Sequence, residues 1–155
     1  MPKLGYKNRF YLMNPIINGL SNTKTNGEIT KMSSSEPNSK ISLDEPEKEI
    51  RKKINKVYCL DGDIIDNTIL RLIKNLVFKI LERSNSKFTI NRPEKYGGKI
   101  EFDDYSHLEK TFEEKRLSSP DLKLGFANFL ISFLVKPINR MMDEDMIKLK
   151  KECGY

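Results

Sequence analysis

The sequence predicts a mainly α-helical domain carrying one small β element, and three observations support this. After residue 44, apolar residues recur at helical spacing in successive segments. Most of those segments begin with a capping residue and end at Gly or Pro. Only across residues 87–102 does the period fall towards two. The chain has 155 residues, 37% apolar and 32% charged, enough for one modest core without metal or disulfide staples. Cys59 and Cys153 lie far apart and outside any CxxC pattern, which argues against a disulfide framework or zinc site and favours a reducing compartment. The longest apolar stretch, residues 124–135, is too short to span a bilayer and is interrupted by Asn128 and Ser132. Residues 1–20 hold no signal-peptide hydrophobic region, since Asn14-Pro15 breaks the only candidate. A soluble, cytoplasmic protein with no membrane partner is expected.

Taken in order, residues 9–13 form a short strand candidate ending at Asn14-Pro15. Residues 18–40, rich in Asn, Ser, Thr, Gly and Lys, read as a long mobile loop. The first helix is expected to start from a capping box of Asp44 and Glu47, with Pro46 in its first turn. Ile50, Ile54, Val57 and Tyr58 follow at helical spacing up to Asp61-Gly62. A second helix after Asp66 places Ile69, Leu70, Ile73, Val77, Ile80 and Leu81 on one face. Phe88, Ile90, Ile100 and Phe102 flank the turn-rich Pro93-Glu94-Lys95-Tyr96-Gly97-Gly98, giving a small hairpin or an extended loop. A third helix, capped by Ser106 with Glu109, should bury Leu108 and Phe112. A fourth begins at Ser119-Pro120-Asp121, carries Leu122, Phe126, Phe129, Leu130, Phe133 and Leu134, and meets Pro137. The last, roughly residues 138–151, carries Met141, Met142 and Ile147.

Three common signatures are absent: GxxxxGK[ST], HExxH and GxGxxG do not occur, so P-loop, zincin and dinucleotide-binding readings fail. His107 is the single histidine, and no metal site is predicted. Lys31-Met32-Ser33-Ser34-Ser35 sets a lysine beside three hydroxyls, a composition suited to a phosphate-binding loop, although a Ser-rich linker has the same look. Gly97-Gly98 alone signals a tight turn.

Together with its neighbours, the loop motif becomes specific. Lys31-Met32-Ser33-Ser34-Ser35 resembles the KMSKS signature of class I aminoacyl-tRNA synthetases, in the KMSSS form of eukaryotic and archaeal-type tyrosyl-tRNA synthetases. Leu4-Gly5-Tyr6-Lys7, Leu12-Met13-Asn14-Pro15 and Gly19-Leu20 are similar to that family's approach to the motif. Arg92-Pro93-Glu94-Lys95-Tyr96-Gly97-Gly98 resembles its (K/R)PEK-aromatic-GG segment, Pro120-Asp121-Leu122-Lys123 its HPxDLK segment, and Pro137-Ile138-Asn139-Arg140 its closing PIR. The ordered series covers nearly the whole chain.

The resemblance implies residues 1–45 as the end of a catalytic domain with the ATP loop, and residues 46–155 as a helical anticodon-binding domain. It further implies a tyrosine–tRNA ligase activity that uses ATP with Mg2+ as substrate. Lys31 matches the lysine that stabilises charge on the departing pyrophosphate, with Met32, Ser33, Ser34 and Ser35 forming the rest of the ATP loop. Tyr96 matches the aromatic that stacks on an anticodon base, and Asp121 the aspartate that hydrogen-bonds its edge. Read without the resemblance, Tyr96 covers the hairpin and Asp121 caps a helix. Ser118 stands where the family has a histidine on the base's other face, so that stacking face is weakened. The segment 21–30 is longer than the family's connection, and the family's HIGH signature occurs nowhere in the 155 residues.

The implied partners are tRNA(Tyr) and a second copy in the homodimer of the full-length family, with a separately encoded N-terminal catalytic half as a further candidate. The net charge of +6 agrees with RNA binding. Lys48, Arg51, Lys52, Lys53 and Lys56 form a dense basic run on the first helix, equally readable as a solvated face. A free-standing RNA-binding module without catalysis, or a protein keeping only the helical fold, are the competing readings.

Overall fold

The structure, a computed structural model, describes residues 19–20, 32 and 36–153, apart from the side chains of residues 150 and 151. The strand candidate at 9–13 lies outside the described residues, as do Lys31, Ser33, Ser34 and Ser35.

Among the described residues the α-helices and strands follow in the order α1 (Glu47–Lys56), α2 (Thr68–Leu72), α3 (Phe78–Ser84), β1 (Phe88–Ile90), β2 (Ile100–Phe102), α4 (Tyr105–Glu113), α5 (Ser119–Leu130), α6 (Lys136–Met141) and α7 (Glu144–Glu152). Among the described residues the fold is therefore mainly helical with one two-stranded antiparallel sheet. The β-hairpin reading is borne out over the extended-loop one: Phe88 pairs with Phe102, Thr89 with Glu101 and Ile90 with Ile100. That register turns Phe88, Ile90 and Phe102 into the core.

Helix α5 is the central strut, with α1, α2 and β1 all packed against it. Ile50 and Ile54 of α1, Ile69 and Leu70 of α2, and Leu122, Phe126 and Leu130 of α5 are all buried in one core. Leu108 and Phe112 close it from α4. The edge-to-face pairs Phe78–Phe88 and Phe88–Phe129, with centroids 6.0 and 6.3 Å apart, join α3, β1 and α5.

Two expected helices are each interrupted by a π-helical turn. Ile73–Val77 joins α2 to α3, and Ile131–Val135 joins α5 to α6. In each, the N–H closing the turn reaches five residues back, from Phe78 to Ile73 and from Lys136 to Ile131. The wider turn rotates the helix beyond it. Ile131 and Val135 are buried, whereas Phe133, expected on the core face, is 42% exposed and Leu134 is only partly covered. It also explains why Pro137 does not end the fourth helix. A proline N cannot donate, and the widened ladder just before it accommodates the missing hydrogen bond. The break comes instead at Met142, whose backbone turns extended, and α7 restarts with Asp143 Oδ1 accepting the Met146 N–H at 2.8 Å.

Three expected caps are displaced. Helix α1 is preceded by Pro46 with no side-chain cap, because Asp44 and Glu45 face the preceding segment. Helix α4 is capped by Asp104, which accepts the His107 N–H at 2.8 Å, two residues before the expected Ser106. Helix α5 is capped by Ser118 and not Ser119. At the start of the second helix, Asn67 supplies the cap by accepting the Leu70 N–H at 3.1 Å.

Part of the expected loop across 18–40 is anchored. Leu20 is buried, its N–H donating to the Ser39 carbonyl at 2.8 Å, and residues Pro37–Ser39 form a 3-10 turn. Apolar Leu20 and Met32 supply the reason, since both pack on the core although the residues around them are polar. Lys53 fixes the same segment to α1, donating to Glu45 Oε1 at 2.6 Å and to the Lys40 carbonyl at 3.1 Å.

Candidate functional site

Tyr96 closes a 3-10 turn, Glu94–Tyr96, at the tip of the hairpin. Pro93 fixes the entry, and its carbonyl accepts the Tyr96 N–H at 2.9 Å and the Gly98 N–H at 3.3 Å. Gly97 and Gly98 then take φ values of +94° and +66°, where a side chain would be strained. Tyr96 is 61% exposed at this turn. Its ring carries the Lys95 ammonium 4.8 Å from its centroid.

Asp121 sits in the first turn of α5, where a carboxylate favours the positive end of the helix dipole. Ser118 and Asp121 form a reciprocal pair. The Ser118 hydroxyl donates to Asp121 Oδ2 at 2.9 Å, and the Asp121 N–H donates back to Ser118 Oγ at 3.3 Å. The single hydroxyl proton is thus used within the protein. Asp121 Oδ1 makes no hydrogen bond among the described residues.

Two side chains that sequence patterns did not single out for this task organise the region. Arg92 Nε donates to the Gly98 carbonyl at 3.1 Å, and its Nη1 reaches the Arg116 carbonyl at 3.4 Å. The guanidinium therefore joins the tyrosine turn to the loop entering α5. From the other side, Asp61 Oδ1 accepts the Ser119 N–H at 2.6 Å and also the Ser119 hydroxyl. These hydrogen bonds, hydroxyl first, together with nearby Lys115 hold the Asp61 carboxyl below its ordinary pKa against a small opposing effect of burial. Nothing in the sequence marks either long-range link. Only their presence in or beside turn motifs hinted at importance.

Of the basic run on α1, Lys48, Lys52 and Lys56 are exposed at i, i+4 and i+8. Lys53 is not part of that face, being 14% exposed and committed to Glu45. Of the residues expected in the ATP loop, Met32 is the one described, and it packs against the core. Among the described residues no cluster of His, Cys, Asp and Glu could hold a metal ion, and no helix is long and apolar enough to cross a membrane.

Residues 1–135 match the family of class I tRNA synthetases (W and Y). The cytoplasmic tyrosine–tRNA ligase of Saccharomyces cerevisiae is 40% identical over 144 residues, covering 90% of this chain and 35% of that protein. The Haloarcula marismortui tyrosine–tRNA ligase is 33% identical, over 94% of this chain and 40% of its own length. The crystal structure of the Archaeoglobus fulgidus tyrosyl-tRNA synthetase complexed with L-tyrosine superposes with a TM-score of 0.73 at 33% identity. It covers 91% of this chain and 40% of its own. The chain thus spans about a third of the length of the relatives it matches. The family match spans residues 1–135, and with these relatives it shows that the chain belongs to the class I tRNA synthetases of the tryptophan and tyrosine family, and within it to the tyrosyl-tRNA synthetases.

Proposed function

We propose that this chain supplies the ATP loop and the anticodon-reading surface of a cytoplasmic tyrosine–tRNA ligase. The supporting observation is that Arg92 hydrogen-bonds both the turn carrying the exposed Tyr96 and the loop that leads to Asp121 at the start of α5. Unpaired anticodon bases are recognised by stacking and by hydrogen bonds to their edges. The Tyr96 ring offers a face for the first, and Asp121 Oδ1 an acceptor for the second. Ser118, whose proton is given to Asp121, orients that carboxylate and contributes no second stacking face. The helical domain of residues 46–155 is the anticodon-binding domain in this reading.

Lys31 with Ser33, Ser34 and Ser35 acts on the phosphates of ATP, bound with Mg2+, during tyrosine activation. The lysine offsets charge on the leaving pyrophosphate, while hydroxyls and backbone N–H groups hold the remaining oxygens. Met32, between these residues, packs on the core. Because the 155 residues contain no HIGH-type segment, the isolated chain binds tRNA(Tyr) without charging it.

The direct test compares binding of the chain to tRNA(Tyr) and to the same tRNA with a replaced anticodon, by fluorescence anisotropy. Preference for the native anticodon is expected. Equal affinity for both would remove the anticodon-reading claim and leave a general RNA-binding module. ATP–pyrophosphate exchange by the isolated chain is expected at background, and exchange above it would contradict this division of labour.

A further inference from the structure

We propose that Arg92 is the positioning residue that sets Tyr96 against the N-terminus of α5, so that base stacking and edge reading act on the same nucleotide; this rests on the reading of Tyr96 and Asp121 given above. The paired strands end at Ile90 and Ile100, and everything between them projects beyond the ladder. Glu94, Lys95 and Tyr96 are all exposed, so no buried side chain holds this tip. Its backbone bonds are internal, running from Tyr96 and Gly98 to Pro93 and from Gly97 to Glu94. Arg92 alone among the described residues carries a hydrogen bond from this turn to a distant segment. Its fork takes in the Gly98 carbonyl and that of Arg116, which lies 24 residues along the chain from Arg92.

The turn is shaped to admit the guanidinium. A Cβ at Gly97 would lie 3.1 Å from Arg92 Nη2, so the guanidinium rests close against the backbone of the turn. Arg116 stands two residues before Ser118, whose hydroxyl fixes Asp121. Asp61 holds Ser119 from the opposite loop. The tyrosine turn and the carboxylate are thereby referenced to one rigid helix start, which orientation-dependent recognition requires. A lysine cannot replace the fork, because one ammonium at the end of a flexible stem does not reach two carbonyls in a fixed plane.

The experiment measures tRNA(Tyr) affinity of Arg92→Ala, Arg92→Lys, Tyr96→Ala and Arg92→Ala/Tyr96→Ala across a range of salt concentrations, with circular dichroism as the check on folding. Arg92→Ala is expected to weaken binding by about fivefold or more. Arg92→Lys, which retains the charge and most of the stem, is expected to fold normally and show a similar loss. The double variant should bind about as weakly as Tyr96→Ala alone, because Arg92 acts through Tyr96. The dependence of log affinity on log salt should be unchanged in Arg92→Ala. A slope smaller by about 0.7 to 0.9 would mark a direct phosphate contact and overturn the positioning role. So would full affinity in Arg92→Lys, or additive losses in the double variant. If Tyr96→Ala binds as the unsubstituted chain does, the anticodon reading fails first and this proposal falls with it. If Tyr96→Ala is weak but Arg92→Ala is not, only the proposal falls.

Discussion

Gly125→Ala sets two well-known effects against each other, and the structure decides between them. Alanine is the better helix former by about 1 kcal/mol, so on an exposed helix the change would stabilise. In α5 the new methyl would lie 2.6 Å from Ile90 Cγ1, 3.1 Å from its Cδ1 and 3.3 Å from Phe88 Cζ. Ordinary carbon contacts are about 3.5–4.0 Å, so the Ile90 side chain would have to retreat by roughly 1 Å. It has nowhere to go. Ile90 is fully buried, its branched Cβ restricts χ1, and its backbone is paired with Ile100. Overpacking of this kind costs about 1–3 kcal/mol, and a first-carbon clash with an immobile neighbour belongs at the upper end. The net expectation is a loss of about 1–2 kcal/mol, or roughly 2–8 °C in Tm. Urea and thermal unfolding followed by circular dichroism would measure it. Combined with Ile90→Ala, the substitution should cost clearly less than the sum of the two singles, since the clashing Cγ1 is gone. A Gly125→Ala variant as stable as the parent would refute the close packing of hairpin on α5, and with it the placement of the Tyr96 turn.

Other expectations rest on single interactions. The Asp61 carboxyl is held below its ordinary pKa by Ser119, so its stabilisation is fully present above about pH 4 and is lost as pH falls through the folded value. Asp61→Asn should therefore lower Tm at neutral pH, and the gap from the parent should narrow in acid; an unchanged gap at about pH 3 would contradict the link. Asn67→Ala removes the cap on Leu70 N–H at the start of α2 and should cost about 1 kcal/mol in urea unfolding. Ser118→His should strengthen tRNA binding by supplying a second stacking face, yet lower Tm because the Asp121 N–H loses its cap. Replacing Lys48, Lys52 and Lys56 with Gln should reduce the salt dependence of tRNA binding while leaving anticodon preference intact.

Much of the fold was legible because apolar period is a direct consequence of burial. Phe88, Ile90, Ile100 and Phe102 alternate around a Pro- and Gly-rich turn, and they form the hairpin. Ile50, Ile54, Ile69, Leu70, Leu108 and Phe112 are all core residues at their helical spacing. Caps were less legible, since Asp104 and Ser106 offer nearly equivalent local chemistry, and it is Asp104 that accepts the His107 N–H. The π-helical turns carry no local signature, and they displaced Phe133 from the core and carried the helix through Pro137. At the candidate site, Tyr96 and Asp121 stand in motifs legible in the sequence, but the Arg92 bridge to Arg116 and the Asp61 link to Ser119 span 24 and 58 residues. Contacts at that separation depend on the assembled fold and leave no periodic trace.

Whether Tyr96 and Asp121 read the anticodon is decided by the affinity of Tyr96→Ala and Asp121→Asn for tRNA(Tyr). Each variant should keep the parent's circular dichroism spectrum. Tyr96 is uncovered, and the amide oxygen introduced by Asp121→Asn can still accept the Ser118 hydroxyl. Loss of stacking is worth about 1–3 kcal/mol, so Tyr96→Ala should bind roughly 5- to 150-fold more weakly. Both variants should also lose their preference for the native anticodon over a replaced one. Folded variants that bind with parental affinity and preference would contradict the anticodon-reading role.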